Sequence, residues 1–409
     1  MAIYCYLEYT LSVYTSIKLP HNLTAMIPLT SAALLLSAIS PLVKATTHKA
    51  KYHPPNAHCV DYTIPVSVST DILTFNGTKW DDNFGLVDFV SVQSSREDAG
   101  FPPSIGAPEP YKGDLEIAGT FCSPIEYGKH GARTVLLATH GLGFERGYWN
   151  SAYDPKEYNF VEHAVGEGYS VFFYDRLGTG KSTKLSGFVN QAAIQIPILR
   201  ELTTLLKSGK YTGDTGKPKS LILVGHSFGS FLSNALLATD PHAADGAILT
   251  GYGFTSNGAV SMEAFNPRIA AQQDPKKFGE LDAGYVTWSD IYSNVNAFFK
   301  APEYTLAAAK YAEDTKQPFA TLEQLSIGAL ELSAPKFTGP VMIITGEFDF
   351  LVCAGYCPGE LEEPGKALFK GSRDFEPYVQ PGAGHGLALH KNATGGYRVM
   401  TEFLQRNEL

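Results

Sequence analysis

Short, uninterrupted apolar runs recur through most of this chain, and they restrict its possible folds more than any other feature. From residue 134 onward the runs do not alternate with polar residues, which is typical of strands buried on both faces of a parallel sheet. Helical stretches at 157–168, 192–208 and 230–239 separate several of them. The repeated strand–helix–strand order predicts an α/β fold with a doubly wound, mostly parallel sheet. The runs are TVLLAT at 134–139, SVFFY at 170–174, LILV at 221–224, AILT at 247–250, VMIIT at 341–345 and PYVQ at 377–380.

Two interruptions of this pattern are predicted to be insertions. Strands are predicted upstream at 62–69 and 115–122, with an insertion over 71–110 between them. The segment 254–339 carries no clear buried strand and is predicted to be helical. Its apolar residues recur at helical spacing, so they either pack onto their own domain or roof a pocket. These residues are Leu281, Tyr285, Trp288, Tyr292, Val295 and Phe299.

The patterns together divide the chain into five segments. Residues 1–45 form an N-terminal targeting segment, and 46–110 form an extension with the first strand and an insertion. The α/β core occupies 111–253 and 340–409, and a helical lid over 254–339 separates its two parts. The lid is therefore inserted before the strand that ends near residue 345.

The composition supports a large folded core and excludes several classes of protein. Of the 409 residues, 44% are hydrophobic, which is too many for a chain that is disordered as a whole. The formal net charge is −9 and no cluster of Lys and Arg occurs, so we expect no nucleic-acid partner. The five cysteines contain no C-x-x-C pair, so no zinc site is predicted.

An apolar stretch from Ile27 to Val43 predicts export of the chain. It follows Met26, is shorter than the roughly 20 residues of a bilayer span, and ends in the small-x-small pattern of a signal-peptidase site at Ala45. We expect translation to start at Met26, with residues 26–45 as a signal peptide and no stable membrane span. The alternative is an uncleaved membrane anchor.

Cysteine usage agrees with an exported protein. Removal of residues 1–45 leaves an even number of cysteines, which oxidising compartments favour as disulfides. The pairing nearest in sequence joins the first to the second and the third to the fourth, and the alternative is four free thiols. These cysteines are Cys59, Cys122, Cys353 and Cys357. Asn76 and Asn392 each begin a glycosylation sequon, which matters only in an exported chain.

The strongest chemical motif is G-H-S-F-G at 225–229, which directly follows the LILV run and precedes a helical stretch. A serine on a sharp strand-to-helix turn adopts strained backbone geometry, and its neighbours must be small, as Gly225 and Gly229 are. The helix N-terminus supplies N–H groups where an oxyanion develops. Ser227 is therefore the predicted nucleophile.

A serine hydroxyl needs a base to become a good nucleophile. In this topology the acid and then the base are expected further along the chain, each on a loop after a later strand. Asp349 follows the VMIIT run and is the predicted acid, with Glu347 as its rival. His385 lies in a Gly-rich loop after PYVQ and is the predicted base. His390 is the alternative, although we expect it on the following helix in a structural role. His226 is expected to point away from the reacting groups.

The loop after TVLLAT carries the sequence H-G-L-G at 140–143, where a second oxyanion donor is expected. The predicted donors are the N–H groups of Leu142 and Phe228, with Gly143 as the alternative to Leu142. His140 is expected to brace this loop rather than to react.

The segment GTGKS at 178–182 has the ending of a phosphate-binding P-loop, but the glycine that such a loop requires is replaced by Asp175. A nucleotide site is therefore not predicted. Asp175 and Arg176 are instead expected to brace the loop after the SVFFY strand.

Five motifs in one order resemble those of the α/β-hydrolase superfamily, in the lid-bearing branch of serine esterases, lipases and proline-iminopeptidase-like enzymes. The secretory start and the cysteines beside the acid are similar to those of extracellular fungal members. The resemblance implies an eight-stranded sheet, acyl transfer through Ser227, no cofactor, and a small-molecule substrate with an apolar part. The motifs are HGLG at 140–143, YDRLGTGKS at 174–182, GHSFG at 225–229, TGEFD at 345–349 and GAGHG at 382–386.

Four functions remain open at this point. An esterase or lipase acting on a carboxylic ester is favoured by the aromatic residues of the lid. An aminopeptidase needs an acidic group for the substrate ammonium, for which Glu313 or Glu331 is available. An acyltransferase or cyclase of natural-product metabolism is the third, and a non-catalytic binding module is the fourth.

Overall fold

A computed structural model describes residues 52–95, 100–126, 133–255 and 258–409. The expected targeting segment at 1–45, including Met26, lies outside the described residues. Within these ranges, no helix combines the length and apolarity that are needed to cross a bilayer.

The described residues form eleven strands in two sheets. The larger sheet has eight strands in the order β1-β2-β4-β3-β5-β6-β10-β11, and the smaller sheet has the order β7-β8-β9. The strands are β1 Ala57–Phe75, β2 Ile105–Pro124, β3 Thr134–Thr139, β4 Ser170–Tyr174, β5 Ser220–His226, β6 Gly246–Thr250, β7 Arg268–Ile269, β8 Tyr285–Thr287, β9 Phe319–Ala320, β10 Val341–Gly346 and β11 Phe375–Gln380.

The larger sheet confirms the predicted doubly wound, mostly parallel architecture. The six strands in the order β4-β3-β5-β6-β10-β11 pair in parallel with their neighbours. Strands β1 and β2 pair antiparallel with each other, and β2 pairs antiparallel with β4. Every residue of β3, β4, β5, β6 and β10 is buried, which is why their sequences are continuous apolar runs.

Fourteen helices are assigned within the described ranges. The two long helices that flank β5 in the chain, α4 and α5, pack against each other, and α14 packs against α3. The helices are α1 Asn83–Gln93, α2 Pro155–Tyr158, α3 Phe160–Gly166, α4 Ala192–Lys207, α5 Phe228–Thr239, α6 Gly258–Phe265, α7 Ala270–Gln273, α8 Pro275–Phe278, α9 Ile291–Phe298, α10 Leu306–Thr315, α11 Thr321–Leu325, α12 Phe350–Cys353, α13 Glu362–Leu368 and α14 Ala393–Arg406.

The first two strands are much longer than predicted, and the expected insertion at 71–110 is correspondingly shorter. Strands β1 and β2 continue as a two-stranded ribbon in which Asp71 pairs with Pro110 and Phe75 with Ile105. Only Gly119–Cys122 of β2 pairs with β4, so the outer ribbon lies beyond the sheet. Polar residues and prolines in this outer part hide the strand pattern in the sequence. Helix α1 lies in the connection at 76–104.

The segment 254–339, called the inserted segment below, is not wholly helical. It carries the small β7-β8-β9 sheet among short helices. The predicted single helical face from Leu281 to Phe299 is wrong, because Tyr285 lies in β8 and only Ile291–Phe298 forms a helix. Tyr292, a member of that face, is 79% exposed. Trp288 is buried through packing on neighbouring elements rather than through helical periodicity.

The cysteines pair as the sequence order suggests. Cys59 and Cys122 are partners across β1 and β2, and they form a disulfide. Cys353 ends α12 and forms a disulfide with Cys357, so this pair closes a short turn directly after Asp349.

Candidate active site

The predicted site residues lie on loops at the carboxyl ends of parallel strands. Such ends meet at one edge of a doubly wound sheet, which is where ligands bind in folds of this class. Ser227 follows β5, Asp349 follows β10, His385 follows β11, and Leu142 follows β3.

Ser227 occupies a sharp turn between β5 and α5. Its backbone has φ 52° and ψ −120°, an uncommon conformation for a residue other than glycine, and its N–H donates to Thr250 O at 2.8 Å. A Cβ at Gly225 would lie 2.5 Å from the Cα of Ser230, and one at Gly229 would lie 2.2 Å from Thr139 O. Both positions therefore require glycine, as the motif predicts.

Asp349 and His385 form a buried pair in which neither side chain is exposed to solvent. The Nδ1–H of His385 donates to Asp349 Oδ2 at 2.7 Å, because a carboxylate can only accept. The same oxygen accepts from the Thr345 hydroxyl at 2.6 Å, and Oδ1 accepts from the N–H groups of Leu351 and Val352. The carboxylate is thus held on every side by its own loop and strand.

The other ring nitrogen of His385 is without a partner. Nε2 is buried and makes no hydrogen bond with any described residue, so the Ser227 hydroxyl is not hydrogen-bonded to it. Sites without substrate often hold this contact long or misaligned. The Phe298 ring, which lines the same cavity as Ser227, lies 5.7 Å from the imidazole centre, and the ring of His226, the residue before Ser227, lies 5.0 Å from it.

Glu347 and His390, the rivals for acid and base, have structural contacts instead. Glu347 Oε2 accepts from the Gly382 N–H at 2.9 Å. His390 Nε2 accepts from the N–H groups of Gly384 and Lys300, both at 3.0 Å, and burial lowers its pKa to about 4. His390 lies just before α14 rather than on it, which corrects the expected position.

His226 lies closer to the predicted base than the sequence suggested. Its ring centre is 5.0 Å from that of His385, and it stacks on Tyr148 at 4.4 Å. Its Nδ1 lies 3.0 Å from the Thr250 hydroxyl. Burial, together with the neighbouring His385 and His140 rings, lowers the pKa of His226 well below its usual value, so this ring is neutral at pH 7.

The predicted oxyanion donors both border the same cavity as Ser227. Leu142 and Phe228 line it, and neither backbone N–H has an acceptor among the described residues. Gly143, the alternative donor, has φ 73°, and its carbonyl accepts from the Gln317 N–H at 2.9 Å. A Cβ at Gly143 would lie 2.0 Å from a ring carbon of Trp288. The inserted segment therefore contacts this loop directly.

His140, Asp175 and Arg176 hold the turns behind the site. The Arg176 N–H donates to His140 Nε2 at 3.0 Å, and the His140 Nδ1–H donates to Gly141 O at 2.9 Å. Asp175 accepts from the N–H groups of Arg146 and Lys181. These contacts match the bracing that the sequence predicts for the two loops.

A cavity of about 340 Å³ opens beside Ser227, and its lining is mainly apolar. The inserted segment supplies much of that lining, and Gln93 from α1 reaches its edge. These residues are not predictable from the sequence as cavity residues, because their apolar or amide side chains carry no local signal of a ligand. They include Met262, Phe265, Phe298, Gln324, Leu325 and Ile327.

The two acidic residues considered for an ammonium group do not border the cavity. Glu313 Oε2 accepts from Trp288 Nε1 at 2.8 Å and from Asn294 Nδ2 at 3.1 Å, and Oε1 pairs with Lys316. Glu331 caps the N–H of Ser333. In the described part of the chain, no group of three or more His, Cys, Asp and Glu side chains is arranged to hold a metal ion.

Several solved structures resemble this chain at low sequence identity. A thermophilic esterase from Thermogutta terrifontis is 16% identical, with 72% of this chain and 95% of that chain covered and a TM-score of 0.49. A monoacylglycerol lipase from Paleococcus ferrophilus is 17% identical, with 70% and 98% covered and a TM-score of 0.47. An enol-lactonase from Burkholderia xenovorans LB400 is 16% identical, with 71% and 97% covered and a TM-score of 0.48.

No curated protein matches the sequence. The sequence profile of the Alpha/beta hydrolase family, in contrast, matches residues 135–394, which is more than half of the chain. The matched range begins in β3 and includes the loops that carry Ser227, Asp349 and His385. By this match, and in agreement with its eight-stranded sheet, the chain belongs to the alpha/beta hydrolase family.

Proposed function

We propose that this hydrolase is a serine esterase that cleaves a carboxylic ester through an acyl-enzyme. The observation that carries the proposal is the buried Asp349–His385 pair, whose Nε2 has no partner among the described residues and whose imidazole centre lies 5.7 Å from the ring of Phe298, which lines the same cavity as Ser227. A base that is oriented by a carboxylate and has an open nitrogen is what a serine nucleophile requires.

The proposed reaction begins with attack of the Ser227 hydroxyl oxygen on the ester carbonyl carbon. His385 Nε2 takes the hydroxyl proton, and Asp349 stabilises the resulting imidazolium. The tetrahedral oxyanion accepts hydrogen bonds from the N–H groups of Leu142 and Phe228. The imidazolium then protonates the leaving alcohol, and water releases the acid by the same steps.

The cavity supports a substrate with an apolar part. Its lining combines aromatic, Met and Leu side chains with few polar groups, so it favours an alkyl or aryl portion over a charged one. The inserted segment contributes Met262, Phe265 and Leu325 to this lining, and we assign it the role of a lid.

An aminopeptidase is the less favoured alternative. That activity needs an acidic group near the serine to bind the substrate ammonium. Glu313 is already paired with Lys316 and hydrogen-bonded to Trp288, and it does not border the cavity. An acyltransferase uses the same acyl-enzyme, so it is distinguished only by the acceptor.

Export of the chain is part of the proposal, as in the extracellular fungal members that the sequence resembles. Two disulfides favour an oxidising compartment. Asn76 and Asn392 are both exposed, so the two sequons are accessible to glycosylation.

Labelling with a fluorophosphonate probe tests the nucleophile. The wild-type chain is expected to be labelled at Ser227 and to hydrolyse p-nitrophenyl esters, while Ser227→Ala remains folded and loses both properties. The matched control is Ser233→Ala, which removes a buried serine that donates to Gly229 O and is expected to keep activity. Labelling of Ser227→Ala at the wild-type rate would refute the proposal.

The substrate class is tested with two panels on the same preparation. Hydrolysis of p-nitrophenyl esters without cleavage of aminoacyl-p-nitroanilides is the expected result. Faster cleavage of the anilides would favour the aminopeptidase. Transfer of the acyl group to an added alcohol, in preference to water, would favour the acyltransferase.

A further inference from the structure

A buried ion pair joins the core to the inserted segment behind the site. Arg176 follows β4 and pairs through Nη1 with Oε1 of Glu323 in α11, and neither side chain is exposed. Gln195 Nε2 donates to the same oxygen at 2.6 Å, and the Ala320 N–H donates to the other oxygen at 2.8 Å. Desolvation makes such pairs weak sources of stability, so the pair calls for another explanation.

Arg176 also contacts Gly141, which precedes the predicted oxyanion donor Leu142, and Phe228, which is the other predicted donor. Its Nη2 donates to Gly141 O at 3.1 Å, and the guanidinium carbon lies 4.7 Å from the centre of the Phe228 ring. The guanidinium fork therefore contacts the oxyanion loop, the residue after the nucleophile and the inserted segment at once.

The contact with Gly141 O bears directly on the N–H of Leu142. These two groups belong to one planar, trans peptide unit, so they point in opposite directions. The hydrogen bond from Arg176 to Gly141 O therefore fixes the direction of the Leu142 N–H on the opposite side of the peptide unit. A cation on the carbonyl also polarises the amide and strengthens its N–H as a donor.

His140 supports the same carbonyl. Its Nε2 accepts from the Arg176 N–H, which leaves the proton on Nδ1 for Gly141 O. Burial and the charge of Arg176 lower the pKa of His140 well below its usual value, so the ring keeps this neutral form at pH 7. Gly141 O thus receives two hydrogen bonds, one of them from a cation.

We infer that Arg176, anchored by Glu323, is a positioning residue that aims and polarises the Leu142 N–H for the oxyanion of the transition state. The inference rests on the proposed serine mechanism. It gives the inserted segment an effect on rate that is separate from its contribution to the cavity lining, because Arg176 is not among the residues that line the cavity.

The test removes both charges together. The double variant Arg176→Met, Glu323→Leu leaves no unpaired charge in the core and has a similar volume. We expect kcat to fall about 10- to 100-fold, because a weakened oxyanion donor lowers transition-state binding, while KM changes less than about threefold. A boronic acid that binds Ser227 as a tetrahedral adduct is expected to lose affinity by the same factor. An unreactive ether analogue of the ester is expected to bind as in the wild type.

A second variant covers the case in which the double variant does not fold. Arg176→Lys keeps a cation for Glu323 but lacks the planar fork that reaches Gly141 O as well. It is expected to lose at least about tenfold in kcat with KM unchanged. The matched control is Arg200→Lys, which makes the same change at an arginine that pairs with Asp240 away from the site, and it is expected to keep kcat within about threefold.

Two results would overturn the inference. One is wild-type kcat in a folded Arg176 variant. The other is an equal loss of affinity for the boronic acid and the ether, which indicates general damage to the cavity. Failure of the proposed function is recognised separately, because the wild-type chain would then not be labelled at Ser227 by the fluorophosphonate.

Discussion

The two sides of Ser227 are held in place by different parts of the molecule. On the acid–base side, Asp349 is fixed by Thr345, Leu351 and Val352, all within seven positions of one another around the end of β10. On the oxyanion side, the loop at 140–143 is held from a distance. Arg176 contacts it from behind, and Trp288 and Gln317 of the inserted segment contact it at Gly143.

The difference indicates which functions are local to the sheet and which depend on the inserted segment. The acid is held by its own strand and loop, whereas the base loop also contacts the inserted segment, where the Gly386 N–H donates to Phe298 O at 2.8 Å. The oxyanion loop depends on contacts between residues that are far apart in sequence, including the pair formed by Arg176 and Glu323. Variants on the first side are expected to abolish proton transfer, while variants on the second are expected to weaken the stabilisation of the oxyanion by degrees.

The largest effect is expected for Asp349→Asn. The Asn Oδ1 can still accept from Leu351 and Val352, so its Nδ2–H donates to His385 Nδ1 and forces the proton onto Nε2, the wrong tautomer for a base. We expect kcat for p-nitrophenyl esters to fall about 10⁴-fold. Glu347→Gln, which alters the rival acid, is expected to retain activity. An equal loss in the two variants would contradict the assignment of the acid.

A smaller but still large effect is expected for Gly143→Ala on the oxyanion side. The position has φ 73°, and the added methyl group would lie 2.0 Å from a ring carbon of Trp288. A displaced loop misdirects the N–H of Leu142, so kcat/KM is expected to fall about 100-fold. The matched control is Gly216→Ala, which has φ 62° with open space around it. The control is expected to cost about 1–3 kcal/mol of stability at unchanged kcat/KM. Equal kcat/KM in the two variants would show that contact with Trp288 does not matter.

The last prediction concerns stability rather than activity on the acid–base side, and its dependence on pH. Burial lowers the pKa of His390 from 6.5 to about 4 in the folded chain, so its contribution to stability is complete above pH 6.5 and is lost as pH falls towards 4. That loss amounts to about 3 kcal/mol in the free energy of unfolding. His390→Gln is expected to flatten the slope of unfolding free energy between these pH values, measured by denaturant titration. Exposed His242→Gln is expected to leave the slope unchanged, and a wild-type slope in His390→Gln would refute the prediction.

The sheet and the turn at Ser227 were predictable because their signals are local. A buried parallel strand is a continuous apolar run, and the crowding around Gly225 and Gly229 demands glycine within five residues of sequence. The chain order of strands then predicts that Asp349 and His385 meet, and the structure brings them together at 2.7 Å. Their catalytic roles remain predictions.

The inserted segment and the support of the oxyanion loop were not predictable in the same way. Arg176 and Glu323 are 147 residues apart, and nothing near either residue in the sequence indicates its partner. The apolar spacing from Leu281 to Phe299 crosses a turn and a strand, so it reflects tertiary packing rather than one helix. The sequence predicts that His226 points away from the reacting groups, whereas its ring centre lies 5.0 Å from that of His385, because the turn at Ser227 departs from regular strand geometry.

The long ribbon of β1 and β2 restricts how this protein can change in length. Helix α1 is connected to the sheet through the outer ribbon, and Gln93 at its end reaches the edge of the cavity. Because side chains alternate between two faces, adding one residue to either strand would turn over every side chain beyond that point, whereas adding two would restore their direction. Natural lengthening or shortening of this arm is therefore expected to occur in even steps, or in single steps absorbed by a bulge such as the register shift between Leu73 and Phe75.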